Sequence, residues 1–384
     1  MLNNKLMVNK KIINDTCVSF KSPKFVVDKD IACFDIDYTI IKTKSGKLFP
    51  KDTNDWELLY DNTKDVLKKL SKNYNIVFIS NQAGIGKGKI KLDDWYDKVK
   101  NIINKLGIPV CVYASIENDR YRKPSPGMWQ LFLDEFKLPE DIVKNSFYCG
   151  DAAGRVNNWK KGVKKDFSDS DRKFAINSNL KFYCPEEIFL GENKISKSKW
   201  ELKGLNPNDI PQLTIDNKIV DLAKIIKNKQ QLVINVGYPG SGKSTYTKQF
   251  EKYGWIIANQ DTCKTLAKCI KLCKETLLNK KNIVIDNTNA DIKTREKYIE
   301  IAKSINKNIY ITCLHFTTPM EISQHNNKYR NYISNNLVKR IPDLVYYVYR
   351  KKFIEPNIDE GFNKIINIPF VLNNISKEYY IYYS

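Results

Sequence analysis

The sequence predicts an α/β protein of two domains, each a mainly parallel sheet covered by helices. Three observations predict it. Strand-length apolar runs alternate with helical stretches in two separate blocks, the pattern of parallel strands joined by helical crossovers. A segment rich in Lys, Asn and Pro, residues 191–229, divides the blocks and reads as linker or irregular surface. Each block carries its most reactive residues directly after an apolar run, where the carboxyl ends of parallel strands open onto a ligand crevice.

The first block spans residues 28–190. Its strands are expected at Ile31–Phe34, Ile76–Ser80, Val110–Ala114 and Ser146–Gly150, with helical patterns at Thr63–Leu70 and Asp93–Leu106. Residues 1–27 form an extension too short for a domain. The second block spans residues 230–384. Its strands are expected at Leu232–Val236, Trp255–Ala258, Asn282–Ile285 and Tyr310–Phe316, with a helical stretch at Thr245–Phe250. A length of 384 residues suits two or three domains of about 150 residues each.

Composition excludes several classes. Hydrophobic residues make up 42%, enough to build cores, so a disordered chain is not expected. No apolar run reaches the roughly 18 residues of a membrane span. The opening MLNNKLMVNKK lacks the apolar core of a secretion signal, so an intracellular site is expected, nuclear or cytoplasmic. The 9 cysteines form no CxxC pair and read as reduced thiols. Two histidines exclude a multi-histidine metal centre. The net charge of +21 points to a polyanionic partner, nucleic acid being the commonest, although Lys, Asn and Ile also accumulate under codon bias.

In the second block, Gly237-Tyr-Pro-Gly-Ser-Gly-Lys-Ser244 fits G-x-x-x-x-G-K-[ST] between an apolar strand and a helical stretch. Gly237, Gly240 and Gly242 let backbone N–H groups close around a β-phosphate. Lys243 reaches the β- and γ-phosphates of ATP, Ser244 holds Mg²⁺, and Thr245 continues the loop. Asp261 follows the next strand; it can accept a proton from an attacking hydroxyl or cap the following helix. Asp286 ends NIVID ahead of Asn287, a position suited to Mg²⁺ or substrate. Lys328 and Arg330 can close over a transferring phosphoryl group or form a solvated basic face.

In the first block, Asp35 and Asp37 end a strand at i, i+2 and point the same way. One such carboxylate can attack phosphorus while the other protonates the leaving oxygen. Bound Mg²⁺ would offset their repulsion, and Asp151, after another strand, completes the metal site of Asp35, Asp37 and Asp151. Ser80 and Asn81 supply hydroxyl and amide donors to phosphate oxygens, and Lys123 can neutralise a pentavalent phosphorus centre. Trp129 and Trp159 are either base-stacking or packing residues.

The order DIDYT, SNQ, RKP and GDAAGR resembles the haloacid-dehalogenase phosphatase superfamily. More narrowly, SGKLFPKDTNDWELLY, SNQAGIGKGK, YRKPSPGMW, YCGDAAGRVNNW and KKDFSDSDRKFA are similar to the eukaryotic-type polynucleotide kinase 3′-phosphatase family. VGYPGSGKST, VIDNTNADIKTR, HNNKYR and YRKKFIEP continue the likeness through the second block, so that it covers about residues 28–372. The resemblance implies a haloacid-dehalogenase-like 3′-phosphatase followed by a P-loop 5′-kinase. Asp35 would be the nucleophile that forms an aspartyl-phosphate, and Asp37 the general acid and then the base. Ser80 and Lys123 would hold the phosphoryl group, and Asp35 and Asp151 would ligate Mg²⁺. Asp261 would activate a 5′-hydroxyl toward the γ-phosphate of ATP. Arg122 and Arg155 would touch the phosphatase substrate.

The implied substrates are DNA strand-break ends, or RNA ends, with a ligase and a polymerase as pathway partners only; the expected state is a monomer. Three departures from the family pattern stand out: Tyr38 in place of glycine, Gln260 in place of arginine before Asp261, and Lys328 in place of arginine, which leaves Arg330 as the lid candidate. The forkhead-associated domain of vertebrate members is not found, so recruitment through it is not expected. A small-molecule phosphatase–kinase fusion, an RNA-end repair enzyme and an end-binding protein with decayed activity are the rival readings.

Overall fold

The structure, a computed structural model, describes residues 9–373 and 376–383. The chain divides into two compact units. One holds the described residues up to Asn206 together with Asn331–Lys339 and 380–383; the other holds Pro207–Arg330 and Arg340–Tyr379. No helix among the described residues is long and apolar enough to cross a membrane.

The first unit is built on strands β1 (Asn9–Ile13), β2 (Cys17–Lys21), β3 (Asp30–Phe34), β4 (Ile41–Lys42), β5 (Glu57–Leu58), β6 (Tyr74–Asn81), β7 (Val110–Ser115), β8 (Phe147–Cys149) and β9 (Lys181–Tyr183). The main sheet runs β1-β2-β7-β6-β3-β8-β9. Its pairs are parallel from β7 to β9, while β1 and β2 add antiparallel. The strands thus begin ahead of residue 28. Asn14 and Asp15, with φ of 49° and 57°, turn that hairpin in the left-handed region these two residue types tolerate best. Alternate residues of β3 serve opposite faces: Ala32 and Phe34 pack into one apolar cluster, Ile31 and Cys33 into the other.

The helix Leu92–Leu106 buries Trp95, Val99, Ile102, Ile103 and Leu106 and ends on Gly107, whose φ of 69° suits a helix terminator. β3 pairs with β6 on one side and β8 on the other, so chain order reverses there and a crevice opens beyond its carboxyl end.

The second unit has strands β10 (Gln231–Val236), β11 (Ile256–Ala258), β12 (Ile283–Ile285), β13 (Tyr310–Phe316) and β14 (Lys364–Ile368), all parallel in the order β11-β12-β10-β13-β14. β10 is buried throughout, as a central parallel strand must be. It lies between β12 and β13, so the switch point falls at its carboxyl end, where the glycine loop begins. The expected helix Thr245–Phe250 is instead an α-helical turn, Lys243–Thr247, that tightens into a 3₁₀ segment, Lys248–Tyr253. Within 191–229 the chain forms a short helix, Ile210–Thr214, and buries Ile210, Leu222 and Ile225.

Candidate active sites

In the first unit, Asp35 leaves β3 with its N–H donated to the Cys149 carbonyl at 2.9 Å. Its Oδ1 lies 3.0 Å from the Lys123 ammonium. Lys123 is buried; its Nζ also donates to Asp171 Oδ1 at 2.7 Å and to the Tyr148 hydroxyl at 2.7 Å. Tyr148 in turn donates to the Ile79 carbonyl at 3.0 Å. Asn81 clasps the lysine backbone from both sides, accepting from its N–H at 2.9 Å and donating to its carbonyl at 3.0 Å. Asn81 therefore fixes Lys123.

Asp151 follows β8 and receives its own hydroxyl partner from Thr39 at 3.3 Å. Carboxylate oxygens of Asp35, Asp151 and Asp171 lie within 4.8 Å of one another. Burial is the main force raising Asp35 to about 6; Lys123 pulls it back, while Asp171 and Asp37 push it further. Asp151 is held well above the carboxylate range, by burial first and then by the charges of Asp171 and Asp35. Burial pulls Lys123 down, but Asp171 and Asp35 outweigh it and strengthen its hold on the proton. A cluster of hard oxygen donors whose ionisation is opposed in this way suits a divalent cation such as Mg²⁺.

Asp171 was not among the residues singled out from the sequence. It stands 20 residues beyond Asp151, in the first turn of the helix Ser170–Asn177. Its Oδ2 accepts from the Ala152 N–H at 3.0 Å, so one carboxylate orients both Lys123 and the segment after Asp151. Gly150 makes room for it, because a Cβ there would lie 2.3 Å from Asp171 Oδ2. Asp37 is gripped by Gln82, whose Nε2 donates to Oδ2 at 2.7 Å and to Ser80 Oγ at 3.0 Å. Ser80 is thereby drawn beside Asp37.

The arginines differ. Arg155 spends its guanidinium on Asp166 through Nε at 2.9 Å and on Glu186 through Nη1 at 2.9 Å, and Nη2 reaches the Asp151 carbonyl at 3.3 Å. It braces the Asp151 segment. Arg122 keeps a buried Nη1 without a hydrogen-bond partner, and burial lowers its proton affinity. Trp129 is core, stacked on Phe132 at 5.4 Å, and Trp159 lies under Arg155 at 4.0 Å. Tyr38 takes the left-handed backbone, φ 56°, and its hydroxyl lies 2.9 Å from the Leu48 carbonyl. It fastens the 43–55 loop.

In the second unit, the glycine loop approaches its neighbours too closely for side chains at Gly237 and Gly240. A Cβ on Gly240, at φ 76°, would lie 2.4 Å from the Ser323 carbonyl; Gly242 caps the next helix at φ 94°. Thr318 and Asn326 hold the loop, donating to the carbonyls of Ser241 and Gly240 at 2.9 Å each. Lys243 is buried and donates to the Gly237 carbonyl at 2.9 Å and the Tyr238 carbonyl at 2.5 Å. Burial lowers it to about 8, Asp286 opposing and the Arg330 charge assisting. Arg330, on the helix Met320–Ile333, is exposed. Ser244 and Thr245 are exposed on the loop's helix.

Asp286 is buried and accepts from Asn235 at 3.0 Å, while Asn287 accepts from the Gln260 N–H at 2.8 Å. Asp261 lies exposed one turn past β11, and the helix cap there is Asn259, whose side chain accepts from the Thr262 N–H. The cap of that helix is therefore Asn259 and not Asp261. Lys328 lies beside His325, whose proton affinity burial lowers first and this charge lowers further.

A buried aspartate–lysine–aspartate cluster at one switch point is the site of a haloacid-dehalogenase-like phosphatase, and the glycine loop at the other is that of a P-loop kinase. A family model described as Polynucleotide kinase 3 phosphatase matches residues 30–189. A Schizosaccharomyces pombe protein named bifunctional polynucleotide phosphatase/kinase is 35% identical over 362 residues, covering 93% of this chain and 84% of that one. A protein of Acanthamoeba polyphaga mimivirus whose name includes the same words is 34% identical over 385 residues, covering 94% and 88%. The polynucleotide 3′-phosphatase of Saccharomyces cerevisiae is 32% identical over 232 residues, 44% of this chain and 94% of that protein. The chain belongs to the bifunctional polynucleotide phosphatase/kinase family.

Proposed function

We propose that this chain heals nucleic-acid ends, removing 3′-phosphates in its first unit and phosphorylating 5′-hydroxyls with ATP in its second. The observation that carries this reading is the joining, in one chain of net charge +21, of the Asp35–Lys123–Asp171 cluster to the Gly237–Ser244 loop. Both sites must hold a phosphodiester strand by its terminus, which a basic protein does at low electrostatic cost.

In the phosphatase, an Asp35 oxygen attacks phosphorus and the bond to the 3′-oxygen breaks, while Asp37 gives that oxygen a proton. Water then attacks the phosphorus of the aspartyl-phosphate, Asp37 takes the water's proton, and the bond to Asp35 breaks to release inorganic phosphate. Lys123 balances charge on the phosphoryl oxygens throughout. Asp35 and Asp151, with Asp171 beside them, would hold Mg²⁺, and the bound ion would supply charge neutralisation for the phosphoryl group; Asp37, expected from the sequence in this set, lies outside the cluster. Asp171 fixes Lys123 and the Ala152 N–H.

In the kinase, Asp261 takes the proton of the 5′-hydroxyl as it attacks the γ-phosphorus of ATP, and ADP leaves. Lys243 and the loop hold the phosphates, Ser244 and Asp286 would hold a divalent cation that neutralises phosphate charge, and Arg330 covers the transferring group. Arg122 and Asn287 would contact the two substrates, and Asn81 acts through its hold on Lys123.

An oligonucleotide carrying a labelled 3′-phosphate, mixed with the protein and quenched in acid within milliseconds, tests the first half. Label should appear on the protein and be absent with Asp35→Asn. Phosphate release with no labelled protein at any time would refute the aspartyl-phosphate route.

A further inference from the structure

We propose that Lys98 is a positioning residue for Asp37, holding it in place for both halves of the phosphatase reaction; this rests on the acid–base role given to Asp37 above. Lys98 lies on the helix Leu92–Leu106 in the stripe formed by Trp95, Val99, Ile102, Ile103 and Leu106. It is the charged member of an otherwise apolar buried face. An ammonium taken out of water there is unfavourable unless it is paired, and an apolar side chain of similar volume would serve packing at least as well. Its side chain is 8% exposed, and Nζ lies 3.3 Å from Asp37 Oδ1.

The other oxygen of Asp37 is held independently. Gln82 Nε2 donates to Oδ2 at 2.7 Å. Each oxygen of one carboxylate is thus pinned by a different element, Oδ1 from the helix and Oδ2 from the residue that follows β6. The Asp37 side chain is 40% exposed, and these two donors hold its oxygens against turning toward solvent. Lys98 Nζ meets Asp37 and none of Asp35, Lys123 or Asp151. Its effect reaches the chemistry only through the orientation of Asp37, which must face the departing 3′-oxygen in one step and the attacking water in the next.

The test uses the full chain with Mg²⁺, the variants Lys98→Met and Lys98→Arg, and two substrates. One is a 3′-phosphorylated oligonucleotide. The other is p-nitrophenyl phosphate, whose leaving group departs without a proton. Misplacing an acid–base group by about 1 Å costs on the order of 100-fold in rate. Lys98→Met should therefore lower kcat on the oligonucleotide by about 10- to 100-fold, with KM within about twofold. On p-nitrophenyl phosphate it should release a burst of about one nitrophenolate per protein and then turn over slowly, because hydrolysis of the aspartyl-phosphate still needs Asp37. Lys98→Arg should restore most of the rate.

The Tm of Lys98→Met should be unchanged or raised, and 5′-kinase activity unchanged. An unaltered kcat in Lys98→Met would overturn the proposal. So would a fall in kcat matched by a fall in Tm and in kinase activity, which marks a structural lysine. A raised KM at constant kcat would overturn it too, marking a substrate contact. Wild-type protein that ignores the oligonucleotide, yet whose p-nitrophenyl phosphate turnover shows the burst only in Lys98→Met, would sink the polynucleotide reading and support the role of Lys98.

Discussion

Replacing Asp171 by asparagine is the sharpest single perturbation of the phosphatase site, because shape is kept and only charge and proton pattern change. The aspartate accepts from two donors, Lys123 Nζ at 2.7 Å on Oδ1 and the Ala152 N–H at 3.0 Å on Oδ2, with the Tyr148 hydroxyl 3.2 Å from Oδ1. An amide has one acceptor oxygen. Facing it to Lys123 sets its NH₂ against the Ala152 N–H; flipping it sets NH₂ against an ammonium. Either choice leaves a buried donor unmet, at about 1–3 kcal/mol, and the lost countercharge for Lys123 brings the total to about 3–5 kcal/mol. Relief of the repulsion that raises Asp35 and Asp151 offsets part of this.

The unit should therefore fold with a lowered Tm, and Lys123 should lose its fixed place. A shift of about 1 Å at such a group costs on the order of 100-fold in rate. Steady-state release of phosphate from a 3′-phosphorylated oligonucleotide should fall by about that factor, while 5′-phosphorylation stays within about twofold. Full phosphatase activity in Asp171→Asn would refute the claim that this aspartate orients Lys123, and an equal loss of both activities would show a general folding defect instead.

Three further outcomes follow from the geometry. Asp35 is raised to about 6 from a usual 3.8, so its ionisation opposes folding: stability is lost as pH rises from about 4 to 6 and stays level above. Mg²⁺ should accordingly raise Tm more at about pH 7.5 than at about pH 5, and an equal rise in a thermal melt at both would contradict the carboxylate cation site. Lys243, lowered to about 8, is charged below that pH and neutral above it in the free protein. ATP phosphates favour the charged form, so calorimetry near pH 9 in buffers of differing ionisation enthalpy should record proton uptake on ATP binding that vanishes in Lys243→Arg. Gly240→Ala places a Cβ 2.4 Å from the Ser323 carbonyl at φ 76° and should abolish 5′-phosphorylation with 3′-phosphate release intact; an active kinase would mean that the loop has slack.

Much of this was legible because it is local. β10, β13 and the helix Thr63–Leu70 follow directly from apolar period, and the glycine loop sits where its motif requires. β1 and β2 were not read, although Asn14-Asp15 is a turn signal, because β1 is an edge strand whose alternation is blurred by lysines. Asp171 escaped because its role exists only once the helix Ser170–Asn177 brings it to Lys123, 48 residues away in the chain. The pairing of Arg155 with Asp166 and Glu186 was not legible either, because it too joins residues distant in the chain. Lys98 did carry a signal: a charge at a position where the helical period demands an apolar residue.

The central claim is that one chain heals both ends of a break through two separate sites. A nicked duplex bearing a 3′-phosphate and a 5′-hydroxyl tests it directly, incubated with the protein, Mg²⁺ and labelled ATP and resolved on a denaturing gel beside Asp35→Asn and Lys243→Ala. The account predicts conversion of both ends by the wild-type chain, loss of only 3′-phosphate release in Asp35→Asn, and loss of only 5′-phosphorylation in Lys243→Ala. Failure of folded wild-type protein to convert either end, or loss of both activities in either variant, would contradict it.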